Sequence, residues 1–275
     1  GFADALPEAA ELEAWVLDRL MGALTAAGYR RVKPPLVEFE RTLGSGLGAA
    51  TAEKAFRFLD PATQTMMGVR PDITPQVARI AATRLAGAAR PLRLCYSGQI
   101  LRVTRDQLRP ERQFAQLGAE LIGSDRTEAD VEIARLAVEA LRAVGLTRVT
   151  LDLVCPALAP RALAAFDLSS GAAAALDAAL DHKDVAAARA CAGAASAAVE
   201  ALLAGVGPAE KAVAALRAAD LPAEAALERD RLCAVAEALL ASGVEATVTV
   251  DPVERRGFPY HDGPAFALFA RGVRG

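Results

Sequence analysis

The chain has 275 residues, of which 53% are apolar and 24% charged. This excludes a disordered chain and gives enough apolar surface for a full core, in one large domain or one domain with an insertion. A net charge of -3 speaks against a sequence-independent nucleic-acid binder, which carries a basic stripe.

Four cysteines, Cys95, Cys155, Cys191 and Cys233, are widely spaced and form no CxxC pair, and only His182 and His261 could join them as ligands. No metal site or cofactor is expected from them; free thiols in a reducing compartment are. The opening GFADALPEAAELEAW has early acids and no apolar h-region, so a signal peptide is not expected, nor is a membrane partner, and the cytoplasm is the default location.

Residues 8–27 repeat Leu12, Trp15, Val16, Leu20 and Leu24 at helical spacing, with Gly28 as the stop. YRRVKPPLVEF follows as an extended segment, and its prolines keep it at an edge or an interface. GSGLGA at 44–49 reads as a loop without the Gly-Lys-Ser ending of a phosphate loop. FRFLDPATQTMMGVR reads as a hairpin turning at Asp60-Pro61, and a helix is expected over 73–85.

Residues 92–104 and 112–123 read as two longer strands joined by RDQLRPE. On the second, period-two alternation puts Arg112, Phe114, Gln116, Gly118 and Glu120 on one face, and Ala115, Leu117, Ala119 and Leu121 on a face expected to be core. Thr127–Asp130 resembles a capping box opening a helix to Val144. RVTLDLV is a strand. Residues 156–243 are rich in Ala and Leu without a strand signal, and read as a helical insertion. A strand at 246–251 and a hairpin turning at Asp262-Gly263 complete the chain.

The order predicts an α+β fold with a mostly antiparallel sheet flanked by helices. Residues 1–155 and 244–275 would form the core, interrupted by the helical insertion at 156–243. Asp72, Thr74, Arg102, Arg112, Gln116 and Glu120 stand at strand ends and on one strand face. Each alone is an ordinary polar residue. Together, a carboxylate and a hydroxyl suit an ammonium group, and an arginine suits a carboxylate or phosphate.

PPLVE, then RPDIT, then GQILR with RPERQFAQLGAELIG, then RGFPYHDG resemble, in that order, the catalytic core of histidyl-tRNA synthetase. They resemble still more closely its paralogues, the regulatory subunits of ATP phosphoribosyltransferase. The similarity runs through the insertion, where ALDHKD at 179–184 also looks familial. The resemblance implies the class II synthetase fold and a homodimer built on the first helix and on Pro34, Pro35, Leu36 and Val37. It implies a histidine-like ligand pocket, in which Asp72 and Thr74 match the acid and hydroxyl that hold the α-amino group and Asp72 is one methylene shorter than the family's glutamate. Arg102 matches the arginine of the second motif, Gln116 and Glu120 the pocket strand, and Arg256 and Tyr260 the histidine-specific segment near the C-terminus.

Two departures bear on activity. Thr104 stands where the second motif carries a glutamate, and His261 stands where the histidine-specific segment carries a second tyrosine. A third-motif arginine is not seen before the sequence stops at ARGVRG. The implied function is therefore a non-catalytic regulatory subunit, which binds the catalytic ATP phosphoribosyltransferase subunit and helps it sense histidine, with no cofactor of its own. The alternative is a synthetase-like core forming histidyl-adenylate. An RNA-binding module is the weakest reading, because basic and aromatic residues are not interleaved.

Overall fold

Gly28 ends the first helix for a geometric reason. Its φ of 88° lies in the left-handed region, which a residue without Cβ enters at little cost. This reverses the chain after helix α1 (Pro7–Ala26) and directs it into a sheet. The structure, a computed structural model, describes residues 2–44, 53–104, 111–255 and 261–270. It forms two units, Gly1–Asp125 and Arg126–Gly275.

In the first unit, α1 is followed by β1 (Arg30–Arg31), β2 (Val37–Phe39), α2 (Glu40–Gly44), β3 (Phe56–Leu59), β4 (Met66–Val69), α3 (Thr74–Ala82), β5 (Leu92–Leu101) and β6 (Gln113–Ile122). Two sheets result. One has the order β1-β5-β6, with β1 parallel to β5, and β5 antiparallel to β6 from Leu92↔Ile122 to Leu101↔Gln113. The other, β2-β4-β3, is antiparallel throughout. The hairpin turn follows its sequence signal: the Asp60 carboxylate accepts from Ala62 N at 3.1 Å and from the Thr63 hydroxyl at 2.6 Å.

The apolar stripe of α1 is split. Leu24 is buried, and Met21 lies 3.6 Å (Sδ to Sγ) from Cys95 on β5, but Leu12 and Trp15 are 60% and 45% exposed. The two faces of β6 also differ from expectation. Register sets Glu120 opposite Leu94, Gly118 opposite Tyr96 and Phe114 opposite Ile100. Leu94, Tyr96 and Ile100 form a buried cluster with Ile73 and Val77 of the α3 region, against which Phe114 packs. The polar face of β6 is thus the one turned toward α3. The other face, with Ala115, Leu117, Ala119 and Leu121, lies on the α1 side and is only half-buried.

Arg70, between β4 and α3, holds the two sheets together. Its backbone N–H donates to Leu36 O (3.0 Å) and its carbonyl accepts from Leu101 N (3.2 Å). Its buried guanidinium donates to Gln99 O (Nε, 2.9 Å), Pro34 O (Nη1, 2.9 Å) and Pro35 O (Nη1, 3.5 Å). Gly98 leaves room for it, since a Cβ there would stand 2.2 Å from Nη2.

The second unit has α4 (Thr127–Ala143), β7 (Val149–Val154), α5 (Leu158–Ala164), α6 (Ser170–Asp181), α7 (Val185–Cys191), α8 (Ser196–Ala204), β8 (Gly207–Pro208), α9 (Ala209–Ala218), α10 (Ala223–Ala241), β9 (Thr247–Asp251) and β10 (Ala265–Ala270). Its sheet runs β10-β7-β9-β8, with β7 and β9 parallel and the outer pairs antiparallel. Leu151, Leu153, Leu158, Leu202, Leu216, Leu232 and Leu239 share one core between sheet and helices. The block at 156–243 therefore lies in one unit with β7, β9 and β10, and the units divide at Asp125 rather than at 155.

Three local expectations change here. The helical block contains a short strand, β8. Thr127 is the first helical residue and makes no side-chain cap bond; the caps that form are Ser169, accepting from Ala172 N at 3.3 Å, and Asp184, accepting from Ala187 N at 2.9 Å. β10 pairs with β7, while the first arm of the expected C-terminal hairpin falls on 256–260, outside the described residues.

Cys95, Cys155 and Cys233 are buried and form no disulfide. Burial pushes the Cys155 thiol up to about 12 and the Cys233 thiol up to about 11. Next to Cys155, buried Glu228 pairs with Arg161, and with Arg231 at 3.2 Å.

Gly98→Ala is expected to displace the Arg70 guanidinium and destabilise the first unit by about 1–3 kcal/mol. Urea unfolding followed by fluorescence of Trp15, the chain's one tryptophan, checks it. Gly87→Ala, where a Cβ meets nothing within 4 Å, is expected to leave the midpoint unchanged.

Candidate ligand-binding site

The buried Arg70 fixes where the next residues stand. Pro71 and Asp72 follow it directly, and α3 begins at Thr74 with Pro75 in its first turn, a position where the missing N–H is no loss. Asp72 Oδ1 accepts from Thr74 N at 3.0 Å, which ties the carboxylate to the helix mouth. Gln116 on β6 clamps the same turn from the other side. Its Nε2 donates to Asp72 Oδ1 at 2.9 Å, and its Oε1 accepts from Ile73 N at 2.9 Å.

A second chain of hydrogen bonds runs beside the first. Tyr96 of β5 donates to Glu120 Oε1 at 3.1 Å, and the Thr74 hydroxyl meets the Tyr96 hydroxyl at 2.8 Å. With the tyrosine proton committed to the carboxylate, Thr74 is the donor to Tyr96. The phenol reaches both partners by crossing β6 at Gly118, its register neighbour, where a Cβ would sit 2.4 Å from the hydroxyl oxygen. Asp72, Thr74, Gln116 and Glu120 are therefore brought together, and Gln116 and Glu120 share a face as their alternation requires.

Arg102 borders this group. Its Nε donates to Pro71 O at 3.2 Å and its guanidinium lies 5.2 Å from the centre of the Phe114 ring. Arg112 is not brought to the group. Its guanidinium lies over Phe2 and Phe56, 5.0 and 4.7 Å from their ring centres, and its Nε donates to Arg102 O at 3.2 Å. Arg256 and Tyr260 lie outside the described residues, and His261 belongs to the second unit, exposed just before β10. Of the segment expected at an interface, Pro34 is buried, Val37 is half-buried, and Pro35 and Leu36 are exposed. Pro35 O also accepts from Gln76 Nε2 at 2.9 Å.

Sequence reasoning missed Arg70, Tyr96 and Gly118. A glycine opposite an aromatic residue was the available signal, but it appears only once the register of β5 against β6 is known.

Burial is the main influence on Glu120. It raises the carboxyl above its usual range, the hydrogen bond from Tyr96 opposes the rise, and Asp72 adds to it. Burial and the Glu120 charge likewise raise the Tyr96 phenol, which stays protonated as a donor. Two carboxylates, a hydroxyl and an amide then offer acceptors to a small cation or N–H donor, with Arg102 available to an anionic end. Among the described residues, no cluster of three or more His, Cys, Asp or Glu side chains is placed to hold a metal ion.

Comparison with known proteins adds four findings. The profile of the histidyl-tRNA synthetase family matches residues 1–275. The ATP phosphoribosyltransferase regulatory subunit of Paramagnetospirillum magneticum is 53% identical over 273 residues, covering 99% of this chain and 72% of that protein. Among solved structures, an ATP phosphoribosyltransferase regulatory subunit/histidyl-tRNA synthetase from Bacillus halodurans matches with a TM-score of 0.81 at 24% identity, over 98% of this chain and 71% of the other. A chain of the ATP phosphoribosyl transferase complex from Thermotoga maritima matches with a TM-score of 0.66 at 16% identity, over 93% and 86%. The two structural matches show a shared class II synthetase-like fold.

The raised Glu120 carboxyl has a signed consequence. The folded state holds this proton more tightly than the unfolded chain, so stability falls as pH rises from the unfolded value of 4.5 through the raised folded value. Glu120→Gln cannot ionise. Its thermal midpoint relative to wild type is expected to climb between about pH 4 and pH 7. A difference that stays level across that range would mean that Glu120 ionises freely.

Proposed function

The chain belongs to the family of ATP phosphoribosyltransferase regulatory subunits, built on the histidyl-tRNA synthetase fold, and from that membership we propose that it acts on the first step of histidine biosynthesis without catalysing it. It binds the catalytic ATP phosphoribosyltransferase subunit, is required for that subunit's activity, and carries its feedback inhibition by histidine. Phosphoribosyl transfer to ATP belongs to the partner. The chain works in the cytoplasm as a homodimer through Pro35, Leu36 and Val37; among the described residues, no single helix is long and apolar enough to cross a membrane.

The observation that carries this reading is the linked set Asp72, Thr74, Gln116 and Glu120, kept while Thr104 replaces the acid of the second motif. Groups that recognise an amino acid are present, and part of the phosphate-handling set is not. In the bound state Asp72 and Thr74 receive the ammonium group, and Glu120, steadied by Tyr96, accepts from the imidazole. The signal has a physical route. A ligand that draws Asp72 away from Gln116 acts two residues from Arg70, whose guanidinium holds the carbonyls of Pro34 and Pro35. That segment leads into the dimer contact, so ligand binding biases the arrangement of subunits. A coupling of ~1–3 kcal/mol is sufficient for feedback.

Reconstitution with the catalytic subunit tests the reading. The chain is expected to raise phosphoribosyl transfer, histidine to suppress it, and Glu120→Gln to blunt the suppression while leaving uninhibited activation nearly intact. Normal feedback in Glu120→Gln would move the histidine sensor elsewhere. Histidine-dependent pyrophosphate exchange by the chain alone would favour the synthetase-like alternative. Light scattering at micromolar concentration is expected to give the mass of a dimer.

A further inference from the structure

Arg102 stands one residue beyond β5, where the ladder with β6 has ended at Leu101↔Gln113. A strand end frays unless something fixes it. Here a single residue does so. Arg102 N donates to Arg112 O at 2.8 Å, and Arg102 O accepts from Arg112 Nε at 3.2 Å. Antiparallel partners exchange backbone bonds; at this step one of the donors is a side chain. Such a donor holds only while the side chain itself is held.

Two rings hold Arg112. Its guanidinium carbon lies 5.0 Å from the centre of Phe2 and 4.7 Å from that of Phe56. The ring centres stand 6.0 Å apart, with the planes inclined at 47°, so the three groups form a tight triangle with the cation over both rings. A cation is drawn to the negative face of a ring, and a guanidinium is flat and weakly hydrated, which suits it to stacking. The two rings are set differently. Phe56 belongs to β3 and pairs with Val69 of β4. Two residues before it, Lys54 O accepts from Val103 N at 3.0 Å, so the same segment also holds the residue after Arg102. Phe2 lies ahead of α1, outside any regular element, and is 54% exposed. Burial does not explain its place; the stack on Phe56 and Arg112 does.

From Arg102 the contacts continue to the linked polar set. Its Nε donates to Pro71 O at 3.2 Å, and Pro71 precedes Asp72. Arg112 thus fixes the backbone of Arg102, and the turn that carries Asp72 fixes its side chain. We propose that Phe2, Phe56 and Arg112 are positioning residues for Arg102, through which the segment ahead of α1 sets how tightly the pocket holds the carboxylate of an amino acid. None of the three has to touch the ligand. A guanidinium–carboxylate pair is directional, so a swing of the Arg102 backbone is felt at the carboxylate first. The proposal rests on the amino-acid pocket proposed above and adds a specificity to it: loss of the Phe2 ring weakens only a ligand that places an anionic end at Arg102.

Calorimetric titration of the full chain in complex with its catalytic subunit tests the proposal. The probes are histidine and histamine, which has the imidazole and the amine but no carboxylate. Arg102→Ala is expected to weaken histidine about tenfold or more, as for a hydrogen bond to a charged group. Phe2→Ala is expected to weaken it about two- to fivefold, as for one exposed cation–ring contact, and to leave histamine unchanged. Phe2→Tyr, which keeps the ring, is expected to bind histidine as wild type does. In the Arg102→Ala background, Phe2→Ala is expected to add no further loss. Equal weakening of histidine and histamine by Phe2→Ala would make Phe2 a general prop of the fold and overturns the proposal. Wild-type histidine binding by Phe2→Ala, alongside a weakened Arg102→Ala, also overturns it and leaves the pocket reading standing. Histidine binding untouched by Arg102→Ala sinks the pocket reading, and this proposal with it.

Discussion

A guanidinium buried between two sheets is the constraint on which the first unit depends. Arg70 has only donors, and taking a charge out of water is costly unless each donor finds an acceptor. The carbonyls of Pro34, Pro35 and Gln99 accept from its Nε and Nη1, and these come from two segments far apart in the chain. Satisfying one side chain therefore fixes the proline segment against the end of β5. It also fixes the next residues, Pro71 and Asp72, and so the mouth of α3. Glu38, buried nearby, raises the tendency of Arg70 to hold its proton against desolvation. The position of the linked polar set around Asp72 is a by-product of this burial.

Asp72, Gln116, Thr74, Tyr96 and Glu120 spend their bonds on one another. Under the proposed function, a ligand would have to match that arrangement before gaining anything, which favours a molecule that offers two N–H groups at the right separation over a single ion.

Much of this was legible where a rule acts over a few residues. Gly28 as a stop, Asp60-Pro61 as a turn and the common face of Gln116 and Glu120 all follow from local geometry. What was not legible depended on pairing between distant segments. Tyr96 joined the site because register sets it opposite Gly118. The polar face of β6 turned out to be the inward one because α3 lies over it, and nothing in the alternation says which side a helix will cover. The strand β8, two residues long inside an alanine-rich block, carries no period at all. Thr127 has the sequence of a cap, but the chain enters α4 one residue early, at Arg126.

Gly98 and Gly118 lie on facing strands of the first unit and bring no functional group. Each is a reserved volume, one for the Arg70 guanidinium and the other for the Tyr96 ring. Tolerance to substitution at these two places therefore measures the bulk of a neighbour. A survey that ranks residues by damage on replacement would set both glycines beside Asp72 and Glu120, although neither has a side chain to offer. In this fold the polar cluster is shaped as much by where atoms are withheld as by where they are supplied.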